Sequence, residues 1–412
     1  MLSQWRSVIL PIVTENRDAA ELDITSAEAR TRKIVAGNEV YIGRRVISDN
    51  INRELPAYLQ YINGPRVIAI TPKNVPAPAD VVTAIEDEFT LGFRFDGWLE
   101  HHIGVVNSTC LHGRGVFMVL PAPDTLLGTK AVFIPADDFI FPTKARDIQR
   151  SNMLGVRHSI SLDQFKAWIK VFQWDATKAQ SLIGTMPQGE EVTKMIEVFQ
   201  MFYRVDDVVH TCWYADDPSR VLLRGALPYT SGAFDNTGAP VPARDYPFFP
   251  IYYKITENPI VVERKGRAHA DMHDQEASIM MWTGLVNSCI RASEVYASVE
   301  ATPQTENPAI KQTEFIVEPG KIVDKPVKFF NTPWPDSMML SALNALSTTN
   351  ASSAGQVDYA VANRKDSRKT AKELDLAQEQ TATNRSVPLT MMTAGYKALL
   401  AAGNWWAYCT AQ

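Results

Sequence analysis

His101, His102, Cys110 and His112 are the densest grouping of metal-ligating side chains in the chain. On a strand Cys110 and His112 would share a face, which is the geometry a zinc ion needs from two ligands so close in sequence. Cys-x-His is not a structural-zinc spacing, however, and adjacent histidines diverge on any regular element. The reading is therefore core or interface duty, with no metal. Three acidic pairs, Asp137-Asp138, Asp206-Asp207 and Asp216-Asp217, raise the question of a carboxylate dyad. Neighbouring carboxylates on a strand point to opposite faces, so turn and capping roles are expected instead. Gly113-Arg114-Gly115 precedes a strand-like run, the wrong context for a dinucleotide fingerprint. No GxxxxGK[ST], GxSxG or HExxH occurs. The expectation is a protein that is not an enzyme, with no catalytic residue and no cofactor.

Charge is concentrated in one place. Residues 361–373 hold Arg364, Lys365, Arg368, Lys369 and Lys372 against Asp366 and Glu373. At helical spacing this is either a solvated face with i,i+4 pairs such as Lys369 with Glu373 or a stripe that meets phosphate. The solvated face is the simpler reading. The chain as a whole carries a net charge of −5 over 412 residues, which argues against a general nucleic-acid coat. Its four cysteines, Cys110, Cys212, Cys289 and Cys409, lie far apart and read as reduced thiols. No signal peptide is evident at the start, and no uncharged apolar run reaches the roughly 18 residues of a membrane span. A soluble product made in a cytoplasm is expected.

The elements that must position these groups are mixed. Residues 14–55 have a helical pattern with Ile34, Val35, Ile42, Val46 and Ile47 apolar, and Pro56 should end it. A turn at Asn63-Gly64-Pro65 precedes a short strand, and Val81–Phe89 reads as a helix. A helix containing Trp98 runs to the turn at 112–115 and a strand over Val116–Leu120, with a second strand at Ala131–Phe141 broken by Pro135. Ser161 caps a helix to Phe172, with Asp163 in its first turn. Glu190–Met201 reads as an amphipathic helix, Asp207–Tyr214 and Val221–Ala226 as strands, and 228–250 as a long loop anchored by Tyr246, Phe248 and Phe249.

The stretch Arg264–Tyr296 runs into the longest helix of the pattern. Asp271–Val299 as one helix would span about 43 Å at 1.5 Å per residue. It has no charged residue from Ala277 to Ile290, and Met272, Ile279, Trp282, Val286, Cys289 and Tyr296 recur on one face. Behind it, 301–333 is proline-rich with two short strand-like runs. Asp336 or Ser337 caps a second helix over Met338–Leu346, Ser347–Gln356 has the composition of a mobile loop, and Val357–Thr383 resumes as a polar helix. Tyr396–Tyr408 closes the chain with Trp405-Trp406.

The order and wording of four passages resemble the portal (head-to-tail connector) proteins of tailed bacteriophages, most closely those of short-tailed phages. The passages are CLHGRGVFMVL (110–120), IPADDFIFPTKARDIQRSNMLGVRHSISLDQFKAW (134–168), GRAHADMHDQEASIMMWTGLVNSCIRAS (266–293) and RKTAKE (368–373). The resemblance implies an α+β, portal-like fold: an α/β wing at 1–263, a first stem helix at 264–300 and a small β-containing clip at 301–335. A second stem helix at 336–347, a tunnel loop at 348–356, and a long wing helix with a short crown at 357–412 would follow. It implies a ring, usually a dodecamer, at one capsid vertex of the virion, assembled in the host cytoplasm. That ring would conduct double-stranded DNA during packaging and ejection. Terminase, major capsid and scaffolding proteins and tail adaptors are the implied partners, with no membrane. Thr349, Asn350, Ser352, Ser353 and Gln356 would face the channel, with Arg364, Lys365, Arg368 and Lys369 as a basic stripe. Ile279, Trp282, Val286 and Cys289 would pack between subunits. The competing readings are a metal-dependent nucleic-acid hydrolase using Asp137, Asp138, His112 or His158, and another head-tail adaptor.

Overall fold

A computed structural model of the chain describes residues 1–21, 40–60, 78–122, 125, 129–184, 195–215, 221–227, 230–234, 237, 240–242, 245–254, 260–293, 296–299, 314–316, 327–330, 337–353 and 386–400. The fold is mixed helix and sheet, α+β. The chain divides into two units, one of 1–18, 51–270 and 375–412, the other of 19–50 and 271–374.

Among the described residues the first unit holds antiparallel sheets of three and five strands and a two-stranded ribbon. Helix α1 (Leu10–Ala20) follows a short helical turn, Leu2–Gln4, and a π-helical stretch, Trp5–Ile9. Helix α2 (Val46–Leu59) contains Pro56 instead of ending there. Proline has no N–H to give to the preceding turn, but so near the end of the helix that loss is tolerated, and three more residues follow it. Helices α3 (Ala79–Phe95) and α4 (Trp98–His112) join through Gly97, and strand β1 (Arg114–Pro121) leaves α4 through Gly113. Strand β2 (Thr129–Ile134) pairs with β1. The Pro135 turn then separates it from β3 (Phe139–Ile140).

Strand β4 (Met153–Ser161) leads into α5 (Leu162–Val171) through a complete capping box. The Ser161 hydroxyl accepts from the Gln164 N–H, and Gln164 Oε1 accepts from the Ser161 N–H. Helix α6 (Ala176–Gly184) follows. The helix expected over Glu190–Met201 is instead strand β5 (Met195–Val205), which pairs with both β4 and β6 (Val208–Ala215). Ile196 and Val198 lie in one core cluster, while Phe199, Met201 and Phe202 lie in the other. A strand buried on both sides loses the polar-apolar alternation that would announce it. Strand β7 (Val221–Ala226) pairs with β6 and completes the sheet order β3-β4-β5-β6-β7.

The region expected as a loop over 228–250 holds the ribbon of β8 (Thr230–Phe234) with β9 (Pro240–Pro242), and the start of β10 (Phe248–Tyr252). Strand β10 completes the order β10-β1-β2. Tyr246 and Phe248 are anchors as expected, both fully buried. Gln149 holds them in place, donating to the Tyr246 and Phe248 carbonyls and accepting from the Tyr246 N–H. Trp5, Ile9 and Val13 of the N-terminal helical stretch pack into the same aromatic core as Phe139, Phe141, Phe199 and Phe248. The aromatic cluster of Phe165, Trp174 and Trp213 lies with the residues of α5 and α6.

The second unit contains most of helix α7 (Arg267–Ser293), whose 27 residues span about 40 Å. It ends at Ser293. The expected continuation to Val299 is instead strand β11 (Tyr296–Val299), which gains a ladder on both sides from β12 (Glu314–Ile316) and β13 (Val327–Phe330). Helix α8 (Ser337–Ser353) runs past its expected end at Leu346. Ser, Thr and Asn each weaken a helix by a few tenths of a kcal/mol, too little to stop one already formed. A further helical stretch, α9 (386–400), belongs to the first unit.

The expectation for α7 was an apolar buried face. Its buried row is Asp271, Gln275, Ile279, Thr283 and Asn287, spaced by four residues and polar in all but one member. The four polar members hold residues 40–45, which pair with no strand among the described residues, and the first turns of α2. Asn287 Nδ2 donates to the Val40 carbonyl and its Oδ1 accepts from the Val40 N–H, both at 2.8 Å. Thr283 Oγ1 accepts from the Ile42 N–H at 3.2 Å, and Gln275 Oε1 from the Ile47 N–H at 3.1 Å. Asp271 accepts from Asn50 at 2.9 Å. A buried backbone needs such partners wherever they come from, and here a helix face supplies them.

Candidate functional site

Two glycine turns meet in the first unit. Gly113 has φ +81, and a Cβ there would lie 2.6 Å from the carbonyl carbon of Lys265 and 2.8 Å from the nitrogen of Gly266. A Cβ on Gly266 would in turn strike the Leu111 and Cys110 carbonyls. The two backbones therefore approach as only glycine allows. This brings together the passages 110–120 and 266–293, which are far apart in sequence. The Tyr253 N–H donates to the Gly113 carbonyl at 3.1 Å and fastens the end of β10 to the same junction.

Beside the junction lies a buried ion pair that the sequence reading did not single out. Arg267 Nε donates to Glu54 Oε1 at 2.9 Å, and Nη2 donates to the same oxygen. Tyr253 and Tyr58 donate to Glu54 Oε2 at 2.8 and 3.4 Å. Burial, reinforced by the Glu54 charge, pushes both phenols far above their ordinary range, so both remain donors. Burial also pushes the Cys110 thiol well up, which makes it an inert core thiol. Arg114 is buried on the other side of the turn, donating to the Val261 carbonyl and stacking over Phe141 at 5.0 Å. Burial lowers its guanidinium to about 10, so it stays charged at neutral pH. The cluster is a strongly polar, fully packed lock between segments.

The histidines do not assemble as ligands. Cys110 and His112 lie on the last turn of α4, not on a strand, and two residues on a helix point well apart. His102 is enclosed by Phe93, Phe117, Tyr396 and Trp98, with ring centroids 4.2 to 6.1 Å away. Neither of its ring nitrogens has a hydrogen-bond partner among the described residues. Burial lowers its pKa to about 3, and burial beside Arg114 lowers that of His112 to about 4. His158 stacks on Trp213, meets Trp168 edge-on, and shares a hydrogen bond with Gln200; burial lowers its pKa. Among the described residues no three His, Cys, Asp or Glu side chains are placed to hold a metal ion.

The acidic pairs resolve differently. Asp137 pairs with Arg17, and Asp138 with Arg157 at 2.9 Å. Arg157 also reaches Glu197 at 3.3 Å and lies over the Trp5 ring. Each carboxylate thus has its own arginine, which ties the β2–β3 turn to the N-terminal helical stretch and to the sheet. Burial raises the Asp138 pKa, and Arg157 opposes that shift. Asp206 and Asp207 have φ of 50 and 62 and join β5 directly to β6. This two-residue turn has the left-handed conformations that a tight hairpin requires. Asp216 and Asp217 lie outside the described residues.

Among the inter-subunit candidates, Ile279 is buried within the chain, whereas Trp282, Val286 and Cys289 are half-buried. Arg44 lies 5.2 Å from the Trp282 ring centroid, a cation–π contact. Thr349, Asn350, Ser352 and Ser353 are in the last turns of α8, so the expected loop is helical at these positions. Gln356, Arg364, Lys365, Arg368 and Lys369 lie outside the described residues. Sequence reasoning missed Glu54, Tyr58, Tyr253 and the polar row of α7. The row carried a signal, because Gln275, Thr283 and Asn287 recur at multiples of four inside a run read only for its apolar members. No helix among the described residues is long and apolar enough to cross a membrane. No protein-family model matches the chain, and no curated protein matches it either.

Proposed function

We propose that the chain is the subunit of a portal ring, a conduit for double-stranded DNA at a capsid vertex and a docking point for terminase, capsid, scaffolding and tail-adaptor proteins. The observation that carries the reading is a pair of helices with long uncharged runs in the second unit, with a small sheet between them in sequence. Helix α7 has no charged residue from Ala277 to Ile290, and α8 has none at all. Yet Met280 is 64% exposed, Met338 75% and Leu340 50%. Apolar helix faces left in water call for cover. A neighbouring copy that presents the same two helices brings no like charge against them. Closed rings repeat one such contact around an axis. An uncharged wall also lacks the phosphate contacts that make nucleic-acid binding tight, so DNA would slide through it. The resemblance in the four passages supports the same assignment.

Native mass spectrometry and electron-microscopy class averages of the purified chain test the reading. The expected result is a closed ring of about a dozen copies with a through-channel. A monomer at micromolar concentration under assembly conditions overturns it. In the assembled ring, Arg364→Glu with Arg368→Glu is expected to lower DNA retention while leaving the particle mass unchanged.

A further inference from the structure

We propose that the outer face of α3 is a docking site for a basic amphipathic helix of a partner protein. Val81, Ala84, Ile85, Leu91 and Phe95 are all exposed, with Leu91 at 51% and Phe95 at 74%. Ala84, Ile85, Leu91 and Phe95 follow Val81 by three, four, ten and fourteen residues, which puts them on one side of the helix. The opposite side, with Phe89 and Phe93, faces the core. Helix α4 adds exposed Leu99 and Ile103 one turn apart. Scattered exposed apolar residues are ordinary, but a stripe of this length along one helix marks an interaction surface.

The charges identify the occupant. Asp80, Glu88 and Glu100 are exposed on these two helices, and Arg94 is the one lysine or arginine in either. Glu88 falls seven residues after Val81 and seven before Phe95, in the middle of the apolar stripe. Any occupant that removes water from this stripe must bring a cation to Glu88, because a carboxylate dried without a partner is strongly unfavourable. A helix with leucines on one face and Lys or Arg beside them meets both demands. The neutral α7–α8 surfaces meet only the first. The inference stands apart from the ring reading, since it concerns α3 and a different partner.

The test uses the full chain and fluorescein-labelled synthetic helical peptides of about five turns. One has a leucine face flanked by lysines, a second replaces every lysine with glutamate, and a third scrambles the first. Fluorescence anisotropy should show the lysine peptide binding in a salt-sensitive way and the other two not binding. Leu91→Ser with Phe95→Ser should weaken that binding by about tenfold or more. Glu88→Lys should weaken the lysine peptide and admit the glutamate peptide, a swap that a damaged fold would not produce. Equal binding of all three peptides, or affinities unchanged by these substitutions, overturns the proposal. So does a change in particle mass with no change in peptide binding, because that assigns the face to a second copy.

Discussion

Replacing His102 with phenylalanine isolates one contribution to acid stability. In the folded chain this imidazole is enclosed by aromatic rings and holds its proton only below about pH 3, whereas the unfolded side chain titrates near 6.5. The folded pKa lies below the unfolded one, so between these values the unfolded state binds more protons. Stability is therefore complete above about pH 6.5 and is lost as the pH falls towards 3. At pH 5 the linkage amounts to about 2 kcal/mol relative to pH 7. His112, lowered to about 4, contributes about 2 kcal/mol more over the same interval. Together they remove about 4 kcal/mol from a net stability that for typical domains is roughly 5–15 kcal/mol. Phenylalanine cannot titrate, fits an aromatic surrounding, and removes no hydrogen bond made to a described residue. Guanidinium unfolding followed by tryptophan fluorescence at pH 7 and pH 5 measures the difference. His102→Phe should lose about 2 kcal/mol less than the parent between these two pH values, whatever His112 and His158 add to both. A variant that loses as much as the parent shows that the buried imidazole is not the source, and the linkage argument fails.

Two further outcomes follow from buried polar contacts. Arg267→Met leaves Glu54 buried against only the two tyrosines and should cost about 3–5 kcal/mol, whereas Arg267→Met with Glu54→Gln should recover a substantial part; equal losses in the single and double variants, read from denaturant midpoints, would contradict the pairing. Asn287→Ala removes both bonds to Val40 and should lower stability by about 1–3 kcal/mol, with faster hydrogen exchange at the Val40 and Ile42 amides and unchanged exchange in β5.

Local signals were legible in the sequence. The helix containing Trp98, its exit through 112–115, the Ser161 cap and the strands at 207–214 and 221–226 all follow from residues within a few positions of one another. What could not be read was set by distant partners. Strand β5 was taken for a helix because it is buried on both sides, which removes the alternation. The true end of α7 depends on two strands that pair with Tyr296–Val299 from later in the chain. Glu54 and Arg267 are 213 residues apart, and neither has a neighbour in sequence that announces the other. The Asp137-Asp138 pair was read as turn or capping residues, but the arginines that engage it, Arg17 and Arg157, come from elsewhere.

The row of α7 also has a metrical consequence. It advances four residues, about 6 Å, from Asn287 to Thr283, while the segment it holds advances two residues, about 6.6 Å, from Val40 to Ile42. The two run in opposite directions, with 40, 42, 47 and 50 matched to 287, 283, 275 and 271. A slip of one residue in the segment, about 3.3 Å, would call for roughly two residues on the helix. Two residues turn a helix by about 200°, which carries every polar side chain to the far side. This matching applies to Val40 and Ile42, whereas Ile47 and Asn50 lie on α2 and meet α7 helix to helix. At Val40 and Ile42 the helix therefore works as a vernier that reads a single register, and it does so through an amide and a hydroxyl in a stretch whose apolar pattern had drawn all the attention.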